Sequence, residues 1–251
     1  MGQSAGTPDT AALHFADVVI EELRVRARED ITLLPFLAPL IRGARDGFVA
    51  QPATDRAPAP SAFQPSLDNF SGSDALRQAV QDTAPLCHWR DVVSAHPDVD
   101  PALSGGMHAA HIFGELGILG MPGMRAGLFT LAPNIDYPLH SHSAAELYFC
   151  LSGTLTLRHG VNGVPFLLKG GDYSITPIER VHALSTGSEP VLLFFAWVGA
   201  LEAPIYWWHQ AKTGIWERVE WSRDSTGVWN RGKAQPVDQD MLAQQTLSEK
   251  E

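Results

Sequence analysis

The chain predicts a mainly β fold, an antiparallel barrel behind a helical N-terminal segment, on three observations. From residue 108 onward, apolar residues come in short runs at 113–119, 124–132, 146–151, 154–159, 164–168, 172–176, 182–185 and 191–198. Most are bounded by Gly, Pro, Asn or Ser, and many short strands with frequent turn residues suit a sandwich or barrel. Ahead of them, Ala12, Phe15, Val19, Ile20 and Leu23 recur at three- and four-residue spacing, the period of an amphipathic helix. Between the two regions, Pro52, Pro58, Pro60 and Pro65 stud 50–67, which reads as an extended connector.

In chain order, a helix over 10–30 leads. Residues 31–41 are apolar but interrupted by Pro35 and Pro39, so they form a short helix or two turns ending near Gly43. Ser73 and Asp74 cap a helix over 75–82, closed by Pro85. Cys87-His88-Trp89 lacks a second Cys at metal spacing and reads as a packing contact. Residues 96–106, with Pro97, Pro101, Gly105 and Gly106, read as loop, and 159–163 as a hairpin tip. Trp216 and Trp221 should pack back on the barrel, and the polar end reads as a frayed tail. The expected organisation is a helical segment, 1–100, packed on a β-barrel domain, 101–225, followed by a C-terminal tail, 226–251.

A length of 251 residues with 45% hydrophobic content suffices for a real core. The net charge of −10, with no basic stripe, argues against nucleic acid and against an anionic membrane surface. Two cysteines, Cys87 and Cys150, make no disulfide framework and suit a reduced compartment. No basic-then-apolar leader is visible, and no apolar run approaches the ~18 residues that span a bilayer, so the expected location is cytoplasmic.

The chemistry gathers at 137–153, Tyr-Pro-Leu-His-Ser-His-Ser-Ala-Ala-Glu-Leu-Tyr-Phe-Cys-Leu-Ser-Gly. His140 and His142 are two apart, so on a strand they share a face, and Glu146 follows four later. Imidazole nitrogen with carboxylate oxygen suits Zn, Fe, Mn, Ni or Co. A second stretch has Gly171, five residues, Pro177, and then His182. The other histidines, His14, His88, His96, His108, His111, His159 and His209, lack such company and read as surface or packing residues, with a role near the site as the lesser alternative for His108 and His111, three apart before the first strand.

Together the two stretches resemble the two-part cupin signature: His-x-His, three residues, Glu, six residues, Gly, then the Gly–Pro–His half. Asn134 and Glu179 stand where the pattern has Gly, and Thr186 where it has Asn, which touches turn geometry rather than ligation. The resemblance implies a cupin-type antiparallel β-barrel (jelly roll) holding one divalent transition metal ion through His140, His142, Glu146 and His182. It also leaves room for a homodimer with the helices over its face.

Cupins host many reactions. Tyr137, Tyr148, Tyr173 and Tyr206 all fall in the barrel half, and Tyr148, two after Glu146, shares its inward face. Tyr-Pro-Leu-His-x-His-x-Ala-x-Glu-Leu-Tyr, with Leu-Ser-Gly-Thr, Ile175-Thr-Pro, His182-Ala-Leu-Ser-Thr-Gly and the apolar run through Trp197, is similar to the cupin-type dimethylsulfoniopropionate lyases of marine bacteria. That resemblance implies β-elimination of a zwitterionic sulfonium substrate to dimethyl sulfide and acrylate. Tyr148 is then the expected base, because a nearby cation can strip a phenol of its proton. Tyr137, at the mouth, positions substrate and is the reserve base. A sulfonium offers no N–H or O–H, so aromatic faces suit it, with Trp197, Tyr206, Trp207, Trp208 and Phe195 as candidates. The alternatives are an Fe(II) cupin dioxygenase with the same ligands, or a non-catalytic cupin sensor or binding domain. The sensor would normally come with a basic helix-turn-helix, which the chain does not present.

Overall fold

The structure, a computed structural model, describes residues 9–51, 57–224 and 228–246. Its helices are α1 (Thr10–Arg26), α2 (Leu34–Asp46), α3 (Phe63–Asp68), α4 (Asp74–Thr83), α5 (Pro101–Gly106) and α6 (Gln239–Thr246). Its strands begin with β1 (Val49–Ala50), β2 (Trp89–Asp91), β3 (Met107–Phe113), β4 (Leu119–Gly120), β5 (Arg125–Leu131), β6 (Asp136–His142), β7 (Ala144–Ser152) and β8 (Thr154–His159). They continue with β9 (Phe166–Lys169), β10 (Tyr173–Thr176), β11 (His182–Thr186), β12 (Val191–Gly199), β13 (Ile205–Gln210), β14 (Trp216–Arg223) and β15 (Trp229–Pro236).

The strands form two sheets. One runs β1-β4-β3-β5-β12-β7-β10, with β2 joining at β3, and the other runs β15-β14-β13-β6-β11-β8-β9. The space between them takes Met107, Phe129, Tyr148, Leu193, Phe195 and Trp221. On the far face of the first sheet, Phe15, Leu23, Phe36, Leu40 and Val80 of α1, α2 and α4 pack on Ile112, Leu128, Leu147, Phe149 and Phe194. The first sheet is therefore covered on both faces. That is why 147–151 is a continuous apolar run rather than an alternating one. Leu147, Phe149 and Leu151 face the helices, while Tyr148 and Cys150 face the interior.

Local chemistry accounts for the helix starts. The Asp9 side chain accepts from the Ala11 N–H to open α1, and Ser73 accepts from the Leu76 N–H to open α4, the cap its sequence predicts. The segment expected as a short helix or two turns is a 3₁₀ turn, Ile31–Leu33, running straight into α2 with Pro35 in its first turn, where a missing N–H costs nothing.

Several expectations are corrected. The strand expected at 113–119 lies earlier, as β3, because Gly114 takes a φ of 111° and turns the chain there. Residues 101–106, read as loop, are helical because Asp100 accepts from the Ala102 N–H and Pro101 suits the first turn. The connector at 50–67 ends in a helix, α3, anchored by buried Phe63 and Leu67, while its residues 52–56 lie outside the described chain. The supposed tail, 226–251, carries β15 and α6. Trp229 is buried, β15 pairs with the otherwise open edge of β14, and the Gln245 side-chain oxygen accepts from the Val181 N–H. Residues 247–251 lie outside the described chain.

The departures from the cupin pattern are the informative turns. Asn134 (φ 59°) and Glu179 (φ 60°) are the non-glycine residues with left-handed backbone among the described residues. The backbone thus keeps the shape that glycine would take most easily. Thr186 braces the first of these turns. Its hydroxyl accepts from the Ile135 N–H at 2.9 Å and donates to the Ala132 carbonyl at 2.7 Å.

Candidate metal centre and cavity

β6 lies in the second sheet and β7 in the first, and Ser143 alone separates them. The chain therefore crosses between sheets within one residue, and the two sheets contribute different halves of the site. His140 and His142 project from β6, and His182 on β11 pairs directly with His140. Glu146 and Tyr148 project from β7, where they pair with Trp197 and Phe195 of β12.

The ligand nitrogens of His140, His142 and His182 all lie within 4.8 Å of one another, and this buried group could hold a metal ion. Each Nδ1 meets a backbone carbonyl: Pro138 at 2.8 Å for His140, Ala144 at 2.9 Å for His142, and Arg180 at 3.0 Å for His182. A carbonyl only accepts, so each Nδ1 carries the proton. The Nε2 atoms of His142 and His182 nevertheless sit 3.2 Å and 3.1 Å from Oε2 of Glu146. With Nδ1 protonated, a neutral ring would meet the carboxylate lone pair to lone pair. Either a second proton on each ring or a shared cation must intervene. Burial, and then the charges of His182 and His142, hold His140 well below its ordinary value, so a cluster of imidazolium ions is disfavoured. One divalent cation fits this donor set better than several buried protons.

Glu146 is held as a carboxylate beside the histidines. Burial pushes its carboxyl up, but hydrogen bonds to His142 and His182 outweigh that and keep it below the usual carboxylate range. The Trp197 indole N–H donates to Oε1 of Glu146. The same indole stacks on the His142 ring, with centroids 4.2 Å apart. Tyr148 sits beside this carboxylate. Burial, then the Glu146 charge, push its phenol well above the ordinary value. Tyr137 packs its ring on His140 with centroids 4.1 Å apart, and burial pushes its phenol up as well.

Of these groups, Tyr137, His140, Glu146, Tyr148 and Trp197 line a cavity of about 360 Å³. Its wall also includes Phe129, Phe195, Trp221 and Trp229, together with His111, Arg90, Arg125 and Arg223.

Residues 42–193, more than half of the chain, match the dimethylsulfoniopropionate lyase family. The chain belongs to that family. It is 26% identical over 195 residues to dimethylsulfoniopropionate lyase DddQ of Ruegeria pomeroyi, an overlap that covers 76% of this chain and 92% of that protein. The solved structure of DMSP lyase DddQ from the same organism superposes with a TM-score of 0.61 at 22% identity, covering 76% of this chain and 94% of the other. A structure of the DMSP lyases RdDddP and RnDddQII gives a TM-score of 0.52 at 23% identity, covering 74% and 94%. At those identities the superpositions speak for the fold, a cupin-type barrel with helices at its N-terminus.

Among the site residues expected of this lyase-family chain, His140, His142, Glu146, His182, Tyr137, Tyr148 and Trp197 come together. Tyr137 lies deeper than expected, buried against His140 rather than at the mouth. Tyr206 does not join them. On β13, Ile205 and Trp207 face the interior, whereas Tyr206 and Trp208 face outward, against Leu139, Val161 and Val181. Strand alternation makes that unavoidable once Trp207 pairs with His140. The Tyr206 ring instead lies under the Arg218 guanidinium, and its hydroxyl donates to Glu220. Sequence reasoning favoured a packing role for His111 and passed over Phe129, Trp229 and the arginines. The signal for His111 was its place on a strand, two after Ala109, which also lines the cavity.

Proposed function

We propose that this chain is a metal-dependent carbon–sulfur lyase that cleaves dimethylsulfoniopropionate to dimethyl sulfide and acrylate by β-elimination. The observation that carries the reading is the buried histidine cluster, with His140 and Glu146 lining an aromatic-walled cavity, in a chain of this lyase family. His140, His142, Glu146 and His182 would hold one divalent ion, Zn, Fe, Mn, Ni or Co. When bound, that ion supplies a Lewis acid for the substrate carboxylate and a positive charge that lowers the Tyr148 phenol.

The chain's own groups do the rest. Trp197 fixes the Glu146 carboxylate and the His142 ring. Phe129, Phe195 and Trp197 present aromatic surface to the sulfonium, which suits a cation without hydrogen-bond donors. With its own proton already released to solvent, the phenolate Oη of Tyr148 takes the α proton. The C–H electron pair becomes the Cα=Cβ bond, and the Cβ–S bond breaks with its pair on sulfur. Neutral dimethyl sulfide departs and acrylate remains. Tyr137, with its ring on His140, orients the substrate from the other side.

The test is headspace dimethyl sulfide from metal-loaded full-length protein given dimethylsulfoniopropionate, with and without oxygen. Equal release in both supports the lyase, and release that requires oxygen supports an Fe(II) dioxygenase instead. Metal analysis of His142→Ala and His182→Ala accompanies the assay. Both should lose most of the bound metal, and full occupancy in both would overturn the ligand assignment.

A further inference from the structure

The cavity also carries a group of basic side chains that the elimination does not use. Arg90 of β2, Arg125 of β5 and Arg223 of β14 line it, with His111 of β3 among them. Burial and then Arg90 and Arg125 hold Arg223 below its ordinary value, so these guanidiniums crowd one region. The acids that share the cavity are already engaged. Asp91 lies 3.0 Å from Nε2 of His108, Glu202 pairs with Arg125, and Glu220 accepts from Tyr206. Arg223 donates to the carbonyls of Asp91 and Val92 at 3.0 Å and 2.8 Å, which fix its guanidinium at the cavity. Arg90 has no ion-pair or hydrogen-bond partner among the described residues, although it points into the cavity wall. The buried His111 ring reports the local field. Burial, and then Arg125, Arg90 and Arg223, pull it down to about 3. Arg90 therefore brings this cavity wall a guanidinium with no acid partner among the described residues, in a protein whose net charge is −10.

A sulfonium is repelled from such a place, and from a bound metal ion as well, which leaves the aromatic surfaces for it. A guanidinium cluster instead suits the planar carboxylate, which accepts paired N–H bonds. We propose that Arg90, Arg125 and Arg223 form a second carboxylate subsite in this cavity, separate from the histidine cluster, which takes a small monocarboxylate. Its role rests on the lyase reading: it captures the substrate carboxylate on arrival and holds acrylate on departure. The binding itself does not depend on that reading.

The probe is acrylate, with isosteric, uncharged acrylamide as control, titrated calorimetrically into the full chain before and after chelation of its metal. The subsite predicts that acrylate still binds after chelation, that acrylamide does not, and that Arg90→Gln weakens the binding about tenfold, the scale of one charge-assisted hydrogen bond. Arg90 is exposed and unpartnered, so this variant should fold; Arg125→Gln is the second variant, and circular dichroism checks both. Acrylate binding that vanishes on chelation, or that survives both substitutions unchanged, overturns the proposal. If Arg90-dependent binding persists while no dimethyl sulfide is released, the lyase reading falls and the subsite stands. Dimethyl sulfide release without Arg90-dependent binding sinks the subsite alone.

Discussion

Tyr148 and Trp197 carry the sharpest consequences at the scale of single residues. Tyr148 is buried beside a carboxylate, and both its surroundings and its hydrogen bond to Glu146 favour the protonated phenol. It can act as a base only with a compensating cation close by, which ties its chemistry to the metal. Tyr148→Phe should keep the fold and most of the metal but lose at least ~100-fold in kcat, the usual scale for a general base. A near-normal rate at saturating substrate would move the base elsewhere, with Tyr137 the next to test. Trp197 acts through its neighbours, by donating to Glu146 and stacking on His142. Trp197→Phe keeps most of the ring surface but removes the donor. Metal affinity should fall about 10- to 100-fold, as for other groups that orient a ligand, and competition with a chromogenic chelator measures it.

At the scale of elements, the site depends on turns more than on strands. The turn between β5 and β6 holds Asn134 at φ 59°, and β6 then starts in register with β11. Asparagine tolerates this conformation better than other side-chain-bearing residues, and Thr186 ties its flanks together. Asn134→Ala should therefore destabilise the protein by about 1 kcal/mol, while Asn134→Gly should leave it equal or slightly more stable. Chemical denaturation of the three proteins checks the order, and equal midpoints for all of them would show that the turn stores no strain. Gly153 marks the opposite case: with φ at 79° and the Pro190 carbonyl where a Cβ would go, the motif glycine is required on both counts.

At the scale of the whole molecule, stability and pH meet at His111. Its folded-state value of about 3 lies below the ordinary 6.5 because burial and three arginines oppose its charge. The unfolded chain thus binds a proton that the folded chain refuses. This contribution to stability is complete above pH 6.5 and is lost as pH falls from 6.5 toward 3, by at most ~1.4 kcal/mol per pH unit. His111→Asn should flatten the acid side of the stability profile relative to the parent protein across that window. Parallel curves from urea unfolding at stepped pH would refute it. The difference between the two proteins, rather than either curve, is the readout, because other acid-sensitive groups contribute to both.

The residues near one another along the chain were legible without coordinates. His140, His142 and Glu146 lie within a single strand–turn–strand, and two-residue alternation alone places the histidines together and Tyr148 beside Glu146. The Ser73 cap and the apolar stripe of α1 were legible for the same reason: they depend on neighbours three and four residues away. Tyr206 was misjudged because its facing depends on the register of β13 against β6, a long-range pairing that leaves no local trace. The C-terminal strand and helix were missed because their polar sequences are stabilised by an open sheet edge and by contacts such as Gln245 with Val181. The arginine group of the cavity gathers β2, β5 and β14, far apart in the chain. What local periodicity and spacing determine is which residues can share a face; which faces then meet across the interior was decided only when the two sheets closed on each other and buried their apolar sides.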